Sequence, residues 1–108
     1  MIKGLLVKPY MVPEVIEFSE EYGELQKLVD GYIEMPYLFD DVDIVINEEG
    51  KLIGLEPNVY IYDDTDLVDV LVGNIVVVGH NDEGETISLT EEQIDKYMKV
   101  FANKELFL

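Results

Sequence analysis

His80 is the only histidine in the chain, and it stands between Gly79 and the acidic run Asn81-Asp82-Glu83. An imidazole beside a carboxylate can act as a general base, because its ordinary pKa lies near neutrality and the carboxylate orients the ring. Such a base needs a nucleophile or a bound water within reach, and the sequence places no Ser or Lys beside it. A solvated turn residue is the competing reading of His80, and the plainer one.

Carboxylates supply the second chemistry. They cluster at Asp40, Asp41 and Asp43, at Asp63, Asp64, Asp66 and Asp69, and at Asp82, Glu83 and Glu85. Hard divalent cations take oxygen ligands, so the residue type suits Ca²⁺ or Mg²⁺. The spacing does not, since no Asp-rich loop has Gly at its sixth position and Glu at its twelfth. These clusters read as solvated loops, and no metal is expected. The chain has no Cys, which excludes disulfides and thiolate chemistry. Gly50, Gly54, Gly73, Gly79 and Gly84 occur singly, with no phosphate-cradling arrangement, so no cofactor is expected either.

Charge narrows the partners further. Twenty-four Asp and Glu against seven Lys, with no Arg, leave a formal charge of −17 over 108 residues. A surface this negative repels nucleic-acid phosphates and anionic membranes and attracts basic protein surfaces. Without Arg, planar two-point recognition of phosphate by this chain is excluded. Lys3, Lys8, Lys96, Lys99 and Lys104 lie near the ends, whereas Lys27 and Lys51 alone interrupt the acidic middle. Glu17, Glu21 and Glu24 fall three or four residues apart, a spacing that puts helical neighbours about 5–6 Å from one another, close to that of successive phosphates. With Asp40, Asp41, Asp43, Asp63, Asp64 and Asp66 they form the candidate partner-binding face. A solvated exterior without a partner is the bland alternative. The seven Tyr and the terminal Phe107-Leu108 supply apolar area with polar tips, suited to an interface with another protein or a second copy of the chain.

The elements that must position these groups are short. Ile2 to Lys8 and Val15 to Phe18 read as strands joined across Pro9 and Pro13. Ser19 can cap a helix over about 20–30, with Tyr22, Leu25, Leu28 and Val29 as its apolar stripe and Gly31 as its C-terminal glycine. Tyr32 to Leu38 reads as an edge strand weakened by Pro36. Val42 to Ile46 and Lys51 to Leu55 read as a hairpin around Asn47-Glu48-Glu49-Gly50. Tyr60-Ile61-Tyr62 is β-prone, and Asp66 to Val72 fits a short helix or a strand. Ile75-Val76-Val77-Val78 is apolar throughout, as in a central strand. Asn81 to Gly84 reads as a hairpin turn. Thr90 and Gln93 have capping-box spacing ahead of a helix over 91–102, striped by Ile94, Tyr97, Met98 and Phe101.

These elements predict one α+β domain, 1–108, with a mixed, mainly antiparallel sheet and two main helices packed on one face. No stretch approaches the ~18 apolar residues of a membrane span, and the start lacks the pattern of a secretion signal. A soluble cytoplasmic protein is expected.

Leu25-Gln26-x-x-Val29-x-Gly31-Tyr32-Ile33-Glu34 and Asn47-Glu48-Glu49-Gly50-Lys51-Leu52-x-Gly54-Leu55-x-Pro57-Asn58 form a distinctive combination. Gly73-Asn74-Ile75-Val76-Val77-Val78-Gly79 and Ser88-Leu89-Thr90 extend it. In these residues the chain resembles a family of small domains of unknown function from phages, plasmids and Gram-positive bacteria. Where many relatives would carry Arg after Pro-Asn, this chain has Val59. The resemblance implies a phage or mobile-element accessory protein and carries no catalytic residue across. With the charge, it gives the leading expectation: a non-enzymatic acidic protein that inhibits a basic host protein handling nucleic acid or defence. The alternative is a module that sequesters a nucleotide-like small ligand, and an enzyme built on His80 comes third.

Overall fold

A computed structural model of the protein describes residues 1–21 and 23–108. Tyr22, expected in the stripe of the first helix and among the interface tyrosines, lies outside the described residues.

The chain is α+β, with nine strands and two helices among the described residues. In order these are β1 (Ile2–Val7), β2 (Glu14–Phe18), α1 (Glu24–Val29), β3 (Ile33–Glu34), β4 (Val42–Asn47) and β5 (Pro57–Asp63). They continue with β6 (Asp66–Val72), β7 (Ile75–His80), β8 (Thr86–Ile87), α2 (Glu91–Ala102) and β9 (Glu105–Phe107). The larger sheet runs β2-β1-β7-β4-β3, with β8 also on β7; the smaller runs β6-β5-β9. Every pairing is antiparallel except that of β5 with β9.

β7 organises both cores. Ile75, Val76, Val77 and Val78 are fully buried. Side chains alternate across a strand, so Ile75 and Val77 face one side and Val76 and Val78 the other. On the first side they join Leu5, Val7 and Ile44 from the large sheet with Tyr97 and Phe101 of α2 and Val59, Ile61 and Leu106 of the small sheet. On the second side they join Ile2, Leu6, Phe18 and Val45 with Val29 of α1. The result is three layers: α1, the large sheet, then α2 together with the small sheet. The helices therefore cover opposite faces, contrary to the expectation that they share one. A strand apolar on both faces needs cover on both, and neither helix can supply both.

Local outcomes differ from the sequence reading in three places, and in a fourth the structure decides between two readings. The first helix is shorter than 20–30. Gly23 enters it at φ 92°, while the Ser19 hydroxyl accepts from Glu21 N at 3.1 Å instead of capping. At its end Asp30, not Gly31, adopts the left-handed conformation, with Gly31 N donating to Gln26 O at 3.0 Å. Tyr32 to Leu38 keeps only a two-residue strand. Lys51 to Leu55 forms no hairpin with β4; Ile53 N and Leu55 N fold back onto Glu49 O and Gly50 O, and β4 takes β3 and β7 as partners. Asp66 to Val72 resolves as a strand because β5 pairs with it from Asp66 to Val72, with two register irregularities along the way. By contrast α2 begins and ends where expected, with both capping-box bonds made between Thr90 and Gln93.

Candidate interaction surface

His80 ends β7 on the α1 side of the sheet, and Asp43 lies diagonally across from it on β4, opposite Val78. Their Nδ1 and Oδ1 atoms are 3.0 Å apart, with both side chains about a third exposed. This is the orienter–base half of a catalytic arrangement. The other half is a nucleophile, and among the described residues no hydrogen bond joins His80 to a Ser, Thr or Lys side chain.

Asp41 and Asp40 are occupied in holding the start of β4. Asp41 Oδ1 accepts from the Tyr97 hydroxyl at 2.5 Å, and its carbonyl accepts from Gln93 Nε2 at 3.1 Å. Partial burial works against ionisation of Asp41, but the bonds from Tyr97 and Gln93 outweigh it and hold the carboxyl below its usual range. Tyr97 responds in the opposite sense: burial first, and then the Asp41 carboxylate, push its phenol well above the ordinary value. Asp40 accepts from the Tyr37 hydroxyl.

The remaining acids of the candidate face are dispersed. Glu17 stands opposite Lys3 on the α2 side of the large sheet. Glu21 instead borders a cleft on the α1 side, and Glu24 opens α1. Asp63, Asp64 and Asp66 sit at the exposed β5–β6 turn, with Asp64 at φ 57°. The spacing of Glu17, Glu21 and Glu24 thus does not correspond to one helical row, because a strand end and a loop intervene. Among the described residues no group of three or more His, Asp or Glu is arranged to hold a metal ion.

Hardly any of this charge is neutralised. No Asp or Glu is buried, and among the described residues lysine pairs with carboxylate only at Lys8–Glu14 (4.0 Å) and Lys51–Asp69 (2.5 Å). Lys104 is turned inward. Its Nζ donates to Lys8 O at 2.7 Å and to Asn58 Oδ1 at 2.8 Å, and burial lowers its pKa.

Two surfaces escape a reading by charge clusters. One is the cleft of about 460 Å³ between β2 and α1, floored by Ile2, Phe18, Leu25 and Ile33. Glu20, Glu21 and Glu85 border it, and no lysine does. The other is the outward face of the small sheet. There Leu67, Tyr62 and Phe107 align across the three strands, and Val70, Tyr60 and Glu105 form a second row. The Tyr62 and Phe107 rings stack with centroids 5.3 Å apart. Tyr10, from the β1–β2 connection, donates its hydroxyl to Glu56 Oε2 at 2.9 Å just ahead of β5, and that bond raises its pKa. The period-two pattern of Tyr60-Ile61-Tyr62 was the available signal, since Ile61 inward requires both tyrosines outward.

A family model described as "Domain of unknown function (DUF3846)" matches residues 2–102. No curated protein and no solved structure matches the chain. No helix among the described residues is long and apolar enough to cross a membrane.

Proposed function

We propose, for a chain that belongs to the DUF3846 family of domains of unknown function, a non-enzymatic binding role directed at a basic protein. The observation that carries this reading is the uncompensated charge. Twenty-four acids, none of them buried, meet lysine at only two ion pairs among the described residues. Unpaired carboxylates at this density steer cationic partners and repel competing anions. The motif resemblance of the chain to phage and plasmid domains adds the finer part: a mobile-element protein that occupies the basic groove of a host protein handling nucleic acid or defence.

Immobilised protein incubated with bacterial lysate tests it. Recovered proteins should be basic, should be released as salt rises to about 0.5 M, where exposed charges are screened within a few ångströms, and should lose nucleic-acid binding when this protein is added. Capture indifferent to salt, or partners that are not basic, defeats the reading.

A small-ligand role draws on the cleft above Phe18 and Leu25. Its three bordering carboxylates disfavour a phosphate-bearing ligand and suit a neutral or cationic one. A thermal-shift series with nucleotides and organic amines separates the two roles, because stabilisation by a true ligand follows its concentration.

A further inference from the structure

We infer that the outward face of the small sheet, with Tyr60, Tyr62 and Phe107 as its platform and Glu56 and Glu105 at its borders, is where a basic segment of a partner protein docks, its Lys or Arg side chains lying over the rings. The inference deepens the proposed function and rests on it.

Among the described residues nothing covers the platform. Phe107 is 68% exposed, Leu67 52% and Tyr60 36%, whereas Val59, Ile61 and Leu106 on the inner face of the same strands are buried in the core. A two-sided sheet in a small soluble domain commonly carries polar residues on its wet face. This one carries aromatic and aliphatic residues in register across three strands, Leu67–Tyr62–Phe107 and Val70–Tyr60. Tyr62 and Phe107 stack on one another, and Tyr60 stands in the next row; exposed aromatic rings so grouped are a surface a guanidinium or ammonium group favours.

Carboxylates complete the recognition. Glu105 is the direct neighbour of Tyr60 in the parallel pairing, and Glu56 is held by the Tyr10 hydroxyl. Tyr10 has φ 63°, a conformation rare for a large side chain, and is 78% exposed. The one lysine adjoining the platform in sequence, Lys104, directs its ammonium to Lys8 O and Asn58 Oδ1, so it does not neutralise these acids. Asp63 and Asp64 extend the negative border at the β5–β6 turn.

Charge also decides between occupants. A second copy would bring another −17 and oppose like carboxylates across the contact. A basic segment meets complementary charge and apolar area at once. Aromatic residues of this kind carry much of the energy in interfaces where they anchor it.

Isotope-labelled protein titrated with a short oligoarginine peptide at low salt provides the test. Resonances of Tyr60, Tyr62 and Phe107 should shift before those of the acidic β7–β8 turn. The triple variant Tyr60→Ser, Tyr62→Ser, Phe107→Ser, with its charge unchanged, should weaken binding by about tenfold, as expected for a few cation–aromatic contacts. Glu56→Gln with Glu105→Gln should weaken it more than Asp82→Asn with Glu83→Gln, although each pair removes two charges. The shift mapping uses the unaltered chain and holds if a variant misfolds. Oligoarginine binding that spreads evenly over the acids, or survives loss of the three rings, overturns this surface while leaving a basic partner in place. No binding by the wild type overturns both. Sedimentation showing a dimer that the triple variant dissolves gives the face to a second copy and also overturns the inference.

Discussion

Gly31 approaches Asn47 so closely that a Cβ in place of its hydrogen would lie 2.7 Å from Asn47 Nδ2. That amide is buried and bridges two elements, donating to Val29 O at 3.1 Å and accepting from Glu49 N at 2.7 Å. The glycine therefore serves close approach, not a left-handed turn. Gly31→Ala is expected to cost about 1–3 kcal/mol by dislodging these bonds, more than the fraction gained from a stiffer unfolded chain. Urea unfolding reads this as a lowered midpoint with an unchanged slope; an unmoved midpoint contradicts it.

Asn58 joins three parts of the chain. Its Nδ2 reaches Val7 O and Gly73 O, each at 2.7 Å, and its Oδ1 receives Lys104. Truncation in Asn58→Ala leaves two carbonyls and an ammonium group without that partner, and should cost about 2–4 kcal/mol. Thermal unfolding of the variant beside wild type measures it. A loss below about 0.5 kcal/mol, typical of a neutral surface change, would mean the bridge contributes little.

The Tyr97–Asp41 bond links stability to pH. Asp41 has a depressed carboxyl pKa, so its contribution is present above the ordinary aspartate value near 3.9 and is lost as pH falls through the lower folded value. Tyr97 has a raised phenol pKa, so its contribution is present below the ordinary value near 10 and is lost only as pH rises through the higher folded value. Tyr97→Phe should cost about 1–2 kcal/mol near neutrality, within the range for a hydrogen bond to a charged group. The cost should shrink in acid as Asp41 protonates. Equal penalties at both pH values would place the effect in packing.

Unpaired surface charge should make the fold sensitive to ionic strength. Screening of carboxylate repulsion predicts a Tm that climbs as NaCl is raised from ~10 mM to ~500 mM. MgCl₂ at matched ionic strength should act similarly, because no metal-holding group of three is present among the described residues. A Tm that saturates at micromolar Mg²⁺ or Ca²⁺ would reveal a specific site.

His80→Ala should change stability by less than about 1.5 kcal/mol, the range of a single partly exposed hydrogen bond, and leave oligoarginine binding intact. Loss of binding in a folded variant would return His80 to the functional surface.

Much of the fold was legible locally. The run Ile75 to Val78 announced a central strand because residues apolar at successive positions leave neither face for water. Thr90 and Gln93 announced the start of α2 because their side chains satisfy backbone donors that nothing else nearby can. Where the segment lacked such local closure, reading failed. Lys51 to Leu55 has strand-like residues, yet the chain folds back onto Glu49 and Gly50, and Val72 comes within 2.8 Å of where a Gly50 Cβ would lie.

The surface divides similarly. The total charge and the missing Arg and Cys follow from composition, and no folding can alter them. Position is another matter. Glu17 and Glu21 are four residues apart but lie on opposite sides of the large sheet, while Tyr60 and Phe107 are far apart in sequence and share a face. Residue type decides which chemistry is available, because it is a property of each side chain alone. Strand pairing over long separations decides which side chains meet, and that depends on partners no local window contains.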